Sequence, residues 1–177
     1  MSGVLKGSIT LDNIASFSSW PARLLGLETF PVKYKSPSEV KREFGDEKWG
    51  TLLEMFSGIP NFTLADVEAK EKNLKEIIPC FDSQLGFYLA ETKESDVTVL
   101  KYMQETLSHY SAGASCLVEL GAGYGAKIFN LSNTVSLSGL DLIALEYTNS
   151  GCDLMNLIGK KIRKDIKVSF CDFNTLD

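Results

Sequence analysis

Residues 116–132 read Cys-Leu-Val-Glu-Leu-Gly-Ala-Gly-Tyr-Gly-Ala-Lys-Ile-Phe-Asn-Leu-Ser, and this stretch decides the fold that the sequence predicts. The first five residues form a short apolar run that is typical of a buried β-strand. Glycines then occupy alternate positions, and Ala126 to Ser132 suit a short helix. Such glycines allow a tight strand-to-helix turn and let a ligand approach the backbone. The free N–H groups that begin the helix would favour a carboxylate or a phosphate.

Two further strand candidates follow the glycine-rich turn. Residues 141–147 form an apolar run, residues 150–163 have helical spacing with one apolar face, and residues 167–171 form a third apolar run. Strands that alternate with helices predict parallel pairing, because a crossover helix returns the chain to the same end of the sheet. The sequence therefore predicts an α/β fold with a Rossmann-like βαβαβ parallel sheet.

The residues before this pattern predict a mainly helical region. Helix-start signals at Ser36 and Thr63 are each followed three residues later by an acid, which indicates capping boxes. We expect helices over residues 36–44, 46–56, 63–78 and 95–110, with the first one ending near Gly45. We place the boundary between the two domains between residues 112 and 113. Residues 1–112 would serve as a lid, a substrate region or an oligomerisation region, and residues 113–177 as the start of the α/β domain.

The composition excludes several classes of protein. The chain has 177 residues, 44% of them hydrophobic and 23% charged, with a formal net charge of −5, as expected of a globular domain without a nucleic-acid footprint. The four cysteines form no C-x-x-C pair and there is a single histidine, so we expect reduced thiols, no metal site and a cytoplasmic location. Neither a signal peptide nor a membrane span is indicated.

Acidic residues stand at the ends of the three predicted strands. Glu119 lies two residues before the first glycine, Glu146 ends the second strand, and Asp172 follows the third. A carboxylate at the end of the second strand suits the hydroxyl groups of any ribose-bearing cofactor. A glycine-rich turn alone can be purely structural. The G-x-G-x-x-A spacing also fits a nicotinamide cofactor, although an acid at Glu119 and the early third glycine are unusual for that class.

The run from Glu119 to Gly125 resembles motif I, E/D-x-G-x-G-x-G, of class I S-adenosylmethionine (SAM) dependent methyltransferases. The resemblance covers residues 116–172, and it implies SAM as the cofactor. It further implies that Glu119 helps to hold the methionyl ammonium, Glu146 the ribose and Asp172 the adenine amino group. The full set of cofactor-binding residues that it implies is Glu119, Gly121, Ala122, Gly123, Gly125, Glu146, Tyr147, Asp172 and Phe173.

Residues 119–125 and 144–151 also resemble sugar O-methyltransferases of bacterial surface polysaccharide pathways. That resemblance implies methyl transfer to an oxygen of a small-molecule acceptor, such as a sugar or a polysaccharide precursor. The sequence departs from the family in two ways: the span from Gly125 to Glu146 is longer than usual, and the chain reaches three of the seven strands of the fold. No position matches a family base, so the catalytic residue stays unassigned.

An incomplete sheet would leave an open edge, and open edges invite pairing with another chain. We therefore expect either that the chain is a fragment of a longer protein, or that a homo-oligomer or a swapped segment covers this edge. Two alternatives to a methyltransferase remain open. One is a non-catalytic module with a truncated SAM fold, kept for oligomerisation or partner binding. The other is a fragment of an NAD(P)-dependent oxidoreductase.

Overall fold

The computed structural model describes residues 35–72, 77–82, 84 and 86–172. Its helices are α1 (Pro37–Val40), a π-helical segment (Lys41–Gly50), α2 (Thr51–Ser57), α3 (Leu64–Glu71), α4 (Thr92–Tyr110), α5 (Ala126–Leu131), a 3-10 turn (Val135–Leu137) and α6 (Asn149–Ile162). Its strands are β1 (Ile77–Asp82), β2 (Gly86–Glu91), β3 (Cys116–Leu120), β4 (Asp141–Glu146) and β5 (Lys167–Phe170). The chain divides into two compact units. Within the described residues, the first unit holds residues 77–99 and the second holds residues 35–72 and 100–172.

The first unit contains an antiparallel pair of strands that the sequence pattern did not predict. β1 and β2 pair in register from Ile77 opposite Glu91 to Asp82 opposite Gly86. The helix expected to continue to Ile78 ends instead at Glu71. Adjacent β-branched residues favour extended backbone, and a proline is tolerated in β1 because each strand of a two-stranded sheet is an edge strand.

The second unit contains a parallel sheet with the strand order β3-β4-β5. The register places Cys116 beside Asp141 in the first pair and Ile143 beside Lys167 in the second. Helices α5 and α6 provide the connections between successive strands. The predicted α/β arrangement with parallel pairing is therefore confirmed for these three strands. The carboxyl ends of all three strands, which carry the candidate site, lie at one edge of the sheet.

Residues 37–57 form one helical run in which the middle turns are π-helical. Ser36 begins the run with a capping box, since its side chain accepts from the Glu39 N–H and Glu39 accepts from the Ser36 N–H. The break expected near Gly45 is wrong, because Gly45 and Gly50 both lie inside the π-helical segment. A Cβ added to Gly45 would lie 3.5 Å from Thr148, an ordinary van der Waals distance, so the segment packs against the start of α6 at this position.

The core of the second unit lies on one face of the parallel sheet. Ala144 on β4 is fully buried, and it packs in a cluster with side chains of α6, α5 and the helical run 37–57. On the neighbouring strand β3, two apolar side chains are exposed instead: Val118 is 42% exposed and Leu120 is 67% exposed. Successive side chains of a strand point to opposite faces, so the second face of this sheet presents apolar groups to solvent. Among the described residues, no helix is long and apolar enough to cross a membrane.

Candidate functional site

The glycine-rich turn has the left-handed backbone that its sequence suggests. The φ angles are +66° at Gly121, +59° at Gly123 and +81° at Gly125. A residue with a Cβ atom adopts this region only with strain, so the three glycines permit the turn from β3 into α5. The N–H of Ala122 donates to the carbonyl of Leu145 at 3.1 Å, which continues the β3–β4 pairing into the turn.

Glu146 joins this turn to the end of β4. The backbone N–H of Gly123 donates to Oε2 of Glu146 at 2.8 Å. Oε1 accepts from the backbone N–H of Thr148 at 3.0 Å and from its hydroxyl at 2.7 Å. Glu146 is only 5% exposed, and a buried carboxylate oxygen without a hydrogen-bond donor would destabilise the fold. The carboxylate therefore fixes the position of the glycine turn relative to β4.

Glu119 lies half-buried on β3 and contacts the start of α5. The backbone N–H of Ile128 donates to its Oε2 at 3.1 Å, so the carboxylate satisfies one of the free N–H groups at this helix terminus. Burial raises the pKa of Glu119, against the smaller opposing effects of the Ile128 N–H and the Lys127 ammonium. Its Oε1 atom accepts no hydrogen bond within the part of the chain that the structure describes.

The end of β5 lies beside Glu146. The N–H of Cys171 donates to the carbonyl of Glu146 at 2.9 Å, which places the half-buried Asp172 immediately beyond the end of β4. The ring of Tyr147 stacks on Phe170 with 6.1 Å between the centroids. The predicted residue Phe173 lies outside the described residues. The three acids thus lie at or next to the carboxyl ends of the three strands, and Glu146 accepts a hydrogen bond from the glycine turn.

Trp49 is part of the site wall, and sequence reasoning missed it. Its ring lies 5.3 Å from the ring of Tyr124, measured between centroids, and the tryptophan is only 7% exposed. A Cβ added to Gly123 would lie 2.9 Å from Cζ2 of Trp49. The π-helical segment is held there by a hydrogen bond of 2.7 Å from the Ser150 hydroxyl to the carbonyl of Gly45. The sequence offered no signal for this contact, since Gly45 had suggested only a helix end.

Thr148 was also missed as a site residue, although its position carried a signal. It directly precedes α6 and its hydroxyl accepts from the Gly151 N–H at 3.2 Å, which is the role of an N-cap. A threonine two residues after an acid at a strand end can donate a hydrogen bond to that acid and, at the same time, cap the helix that follows.

The residues present fit a ribose-bearing cofactor at the glycine turn. A Cβ added to Gly121 would meet no atom within 4 Å, so the turn has open space on that side. A carboxylate offers about four lone-pair positions, and Glu146 uses three of them. The fourth position accepts no hydrogen bond from the described residues, although the carboxylate is only 5% exposed.

Other reactive groups near the site have structural settings. Cys152 is partly buried on the first turn of α6, and burial, with smaller effects of the Glu146 and Asp153 carboxylates, raises the pKa of its thiol to about 11. A thiol with this pKa is a poor nucleophile near neutral pH. No group of three or more histidine, cysteine or acidic side chains within the described ranges is placed to hold a metal ion.

A function for this chain has to be inferred from the geometry of the site, because known proteins provide no guide. No family model, no curated protein sequence and no solved structure matches this chain. Chemically, the arrangement can hold a ligand that carries hydroxyl groups near Glu146 and a cation near Glu119, beside the open side of the turn at Gly121.

Proposed function

We propose that this chain is the cofactor-binding front half of a class I SAM-dependent methyltransferase, and that its parallel sheet is the first half of a Rossmann-like domain. The main support is the hydrogen bond from the Gly123 N–H to Glu146, because it joins a glycine turn to an acid at the end of the next parallel strand. In Rossmann-like folds, ribose-bearing cofactors bind where a glycine-rich turn lies beside a carboxylate at the end of the next strand.

The three acids suit three parts of SAM. Oε1 of Glu119 accepts no hydrogen bond from the described residues, so it can accept from the methionyl ammonium. Glu146 would accept from the ribose, and Asp172, beside the end of β4, from the adenine amino group. Tyr147 and Phe173 would flank the adenosine. SAM supplies an electrophilic methyl group on its sulfonium, and the protein supplies binding and alignment.

The acceptor in this proposal is an oxygen nucleophile of a small molecule. A sugar or a polysaccharide precursor is favoured by the resemblance of residues 119–125 and 144–151 to sugar O-methyltransferases. No described residue is assigned as the base.

Isothermal titration of the whole chain with S-adenosylhomocysteine tests the proposal, with NAD as the competing cofactor. We expect saturable binding of S-adenosylhomocysteine and none of NAD. Glu146→Gln should weaken binding at least tenfold, because a charged acceptor of the ribose hydroxyls becomes neutral. Asp141→Asn is the matched control, since Asp141 lies at the opposite end of the same strand and is 64% exposed.

Three results would count against the proposal. One is a folded chain, judged by its circular dichroism, that binds neither compound. Another is binding of NAD in preference to S-adenosylhomocysteine, which would favour the oxidoreductase alternative. The third is an equal loss of affinity in Asp141→Asn and Glu146→Gln, which would mean that the effect does not come from the glycine turn.

The second candidate function is a non-catalytic module that uses the SAM fold for oligomerisation. The exposure of Val118 and Leu120 on β3 favours it, because a strand with apolar side chains in solvent tends to associate. Both candidates are compatible with a homo-oligomer that covers this part of the sheet. Titration with S-adenosylhomocysteine distinguishes them, because only the first requires binding.

A further inference from the structure

The carboxylate that would hold the ribose is closed off from solvent. Glu146 and its neighbour Thr148 are almost fully buried, so a hydroxyl group of a ligand cannot reach the fourth lone-pair position of Glu146 in this conformation. The turn is open only further along, since a Cβ added to Gly121 would meet no atom within 4 Å. Access to Glu146 therefore requires that a group covering it moves.

The π-helical segment contacts both residues that donate hydrogen bonds to Glu146. Gly123 donates to one carboxylate oxygen, and Thr148 donates to the other. A Cβ added to Gly123 would lie 2.9 Å from the ring of Trp49, and one added to Gly45 would lie 3.5 Å from Thr148. The segment thus lies against the glycine turn and against the start of α6, beside the acid that the two residues hold.

The buried contacts of this segment are concentrated in Trp49. Of the ten residues in the segment, only Gly45 and Trp49 are buried. Phe44 is partly buried beside Trp49, with 6.4 Å between the ring centroids. Elements with few buried apolar contacts open locally at a lower free energy than the core of a protein does.

Polar contacts with α6 and α3 hold the segment in place. The hydroxyl of Ser150 donates to the carbonyl of Gly45 at 2.7 Å. The ammonium of Lys48 lies 2.6 Å from a carboxylate oxygen of Glu71, and 4.7 Å from the centroid of the Trp49 ring. A single neutral hydrogen bond and a partly exposed ion pair each contribute little to stability, so neither contact locks the segment.

The conformation of the segment also favours movement. π-helical turns are rare, mostly occur singly, and are frequent at functional sites. Gly45 and Gly50 weaken the helix further, because glycine loses more backbone freedom on folding than any other residue. A change from i→i+5 to the i→i+4 hydrogen bonds of an α-helix would rotate Trp49 about the helix axis, because each residue then turns the chain further.

We propose that the π-helical segment is a lid over the candidate cofactor site, that the lid is closed in this structure, and that a ligand reaches Glu146 only when it opens. Opening withdraws Trp49 from Gly123 and the segment from Thr148, and it exposes the carboxylate. The identity of the ligand rests on the function proposed above, whereas the closed lid is a property of the chain without ligand.

Hydrogen exchange of the whole ¹⁵N-labelled chain without ligand tests the lid itself. We expect the indole N–H of Trp49 and the backbone N–H of Gly123 to exchange together, about tenfold or more faster than the amides of Leu154 and Ile158 in the core of α6. Gly123 distinguishes a lid from a frayed helix. A segment that frays without covering the turn would leave the bond between Gly123 and Glu146 protected.

Ser150→Ala removes the hydrogen bond to Gly45 and should shift the lid towards its open form. We expect exchange at Trp49 and Gly123 to become roughly three- to tenfold faster, with no change in the core of α6. The affinity for S-adenosylhomocysteine should rise by a similar factor, because a smaller fraction of the chain is closed. A segment with a merely structural role would give unchanged or weaker binding in this variant.

Ser57→Ala is the matched control. The hydroxyl of Ser57 donates to the carbonyl of Leu53 at 2.6 Å, which is the same kind of bond but lies within α2. This variant should change neither the exchange of Gly123 nor the affinity for S-adenosylhomocysteine.

Three results would overturn the lid. One is exchange at Trp49 that is as slow as in the core of α6. Another is faster exchange of the segment in Ser150→Ala with no change at Gly123. The third is weaker binding of S-adenosylhomocysteine by Ser150→Ala than by the parent. If neither chain binds this compound while exchange follows the expected pattern, the function proposed above is wrong and the lid stands.

Discussion

Thr148 connects three parts of the candidate site through one side chain. Its hydroxyl donates to Glu146 and accepts from the N–H of Gly151, and the residue is only 1% exposed. A Cβ added to Gly45 would lie 3.5 Å from the Cβ and Cγ2 atoms of Thr148. Thr148 therefore caps α6, donates a hydrogen bond to Glu146 and packs against the π-helical segment.

Replacement of Thr148 should reduce stability through the two hydrogen bonds of its hydroxyl. Thr148→Val keeps the shape but leaves a buried carboxylate oxygen with one donor fewer and the helix without its cap. We expect a loss of about 2 kcal/mol in the free energy of unfolding, measured with urea. Thr148→Ser keeps the hydroxyl and should lose less. Equal losses in the two variants would mean that methyl packing, rather than the hydroxyl, carries the effect.

The pKa of Glu119 predicts a specific dependence of stability on pH. Its pKa is raised from an ordinary value near 4.5, so the folded chain binds this proton more tightly than the unfolded chain. Stability from this group is fully present below about 4.5 and falls as the pH rises towards the folded pKa. Glu119→Gln should therefore be more stable than the parent at pH 7, with a difference that disappears near pH 4.

Glu39 provides a control of opposite sign. The backbone and side-chain hydrogen bonds of Ser36 lower its pKa, so its contribution is present above the unfolded value and is lost as the pH falls through the folded value. Glu39→Gln should be less stable than the parent at pH 7, and equally stable in acid. Thermal unfolding of both variants between pH 3 and pH 8 makes the comparison. Parallel curves for Glu119→Gln and the parent would contradict the prediction.

At the scale of elements, the turn between β3 and α5 offers a test of its packing against the π-helical segment. Gly121→Ala faces open space and should lose only about 1–2 kcal/mol of stability through its left-handed backbone. Gly123→Ala has the same strain and also meets Trp49, so we expect a loss of roughly 3 kcal/mol. Urea unfolding measures both losses.

A double variant separates the contact from the backbone strain. In a Trp49→Leu background, the loss caused by Gly123→Ala should fall towards the loss caused by Gly121→Ala, because the ring that the new Cβ meets is gone. An undiminished loss in that background would show that Trp49 does not lie against the turn in solution.

The elements that the sequence predicted well are those with strong local signals. The turn at residues 121–125, the strand β4 and the amphipathic helix α6 each follow from glycine positions or apolar spacing. The strand pair of residues 77–91 was missed, because Ile77 and Ile78 also fit a helical spacing with the residues before them. Short apolar runs do not distinguish helix from strand, and pairing with a distant partner decides between them.

The candidate site was only partly predictable for a related reason. Its acids could be placed because parallel strands bring their carboxyl ends to one edge. The hydrogen bond between Ser150 and Gly45 joins residues far apart in sequence, and no local pattern reports such a contact. The packing of Trp49 against the glycine turn depends on the same long-range arrangement.

For the whole molecule, the exposed apolar residues of β3 predict self-association. Val118→Lys places a charge at the exposed position, which is how natural edge strands avoid pairing. We expect this variant to raise the dimer dissociation constant at least tenfold, measured by analytical ultracentrifugation. Val135→Lys is the control, since Val135 is 87% exposed and lies outside the sheet. A parent chain that stays monomeric at all concentrations, or equal effects of both variants, would contradict the prediction.

The contact between Trp49 and the glycine turn gives the protein a built-in optical reporter. The chain has two tryptophans, and the indole of Trp49 is buried against Gly123 and Tyr124. Its emission depends on the polarity and mobility of these surroundings. A ligand that reaches the turn should therefore change the intrinsic fluorescence. One unlabelled sample can thus report whether a compound reaches the glycine turn.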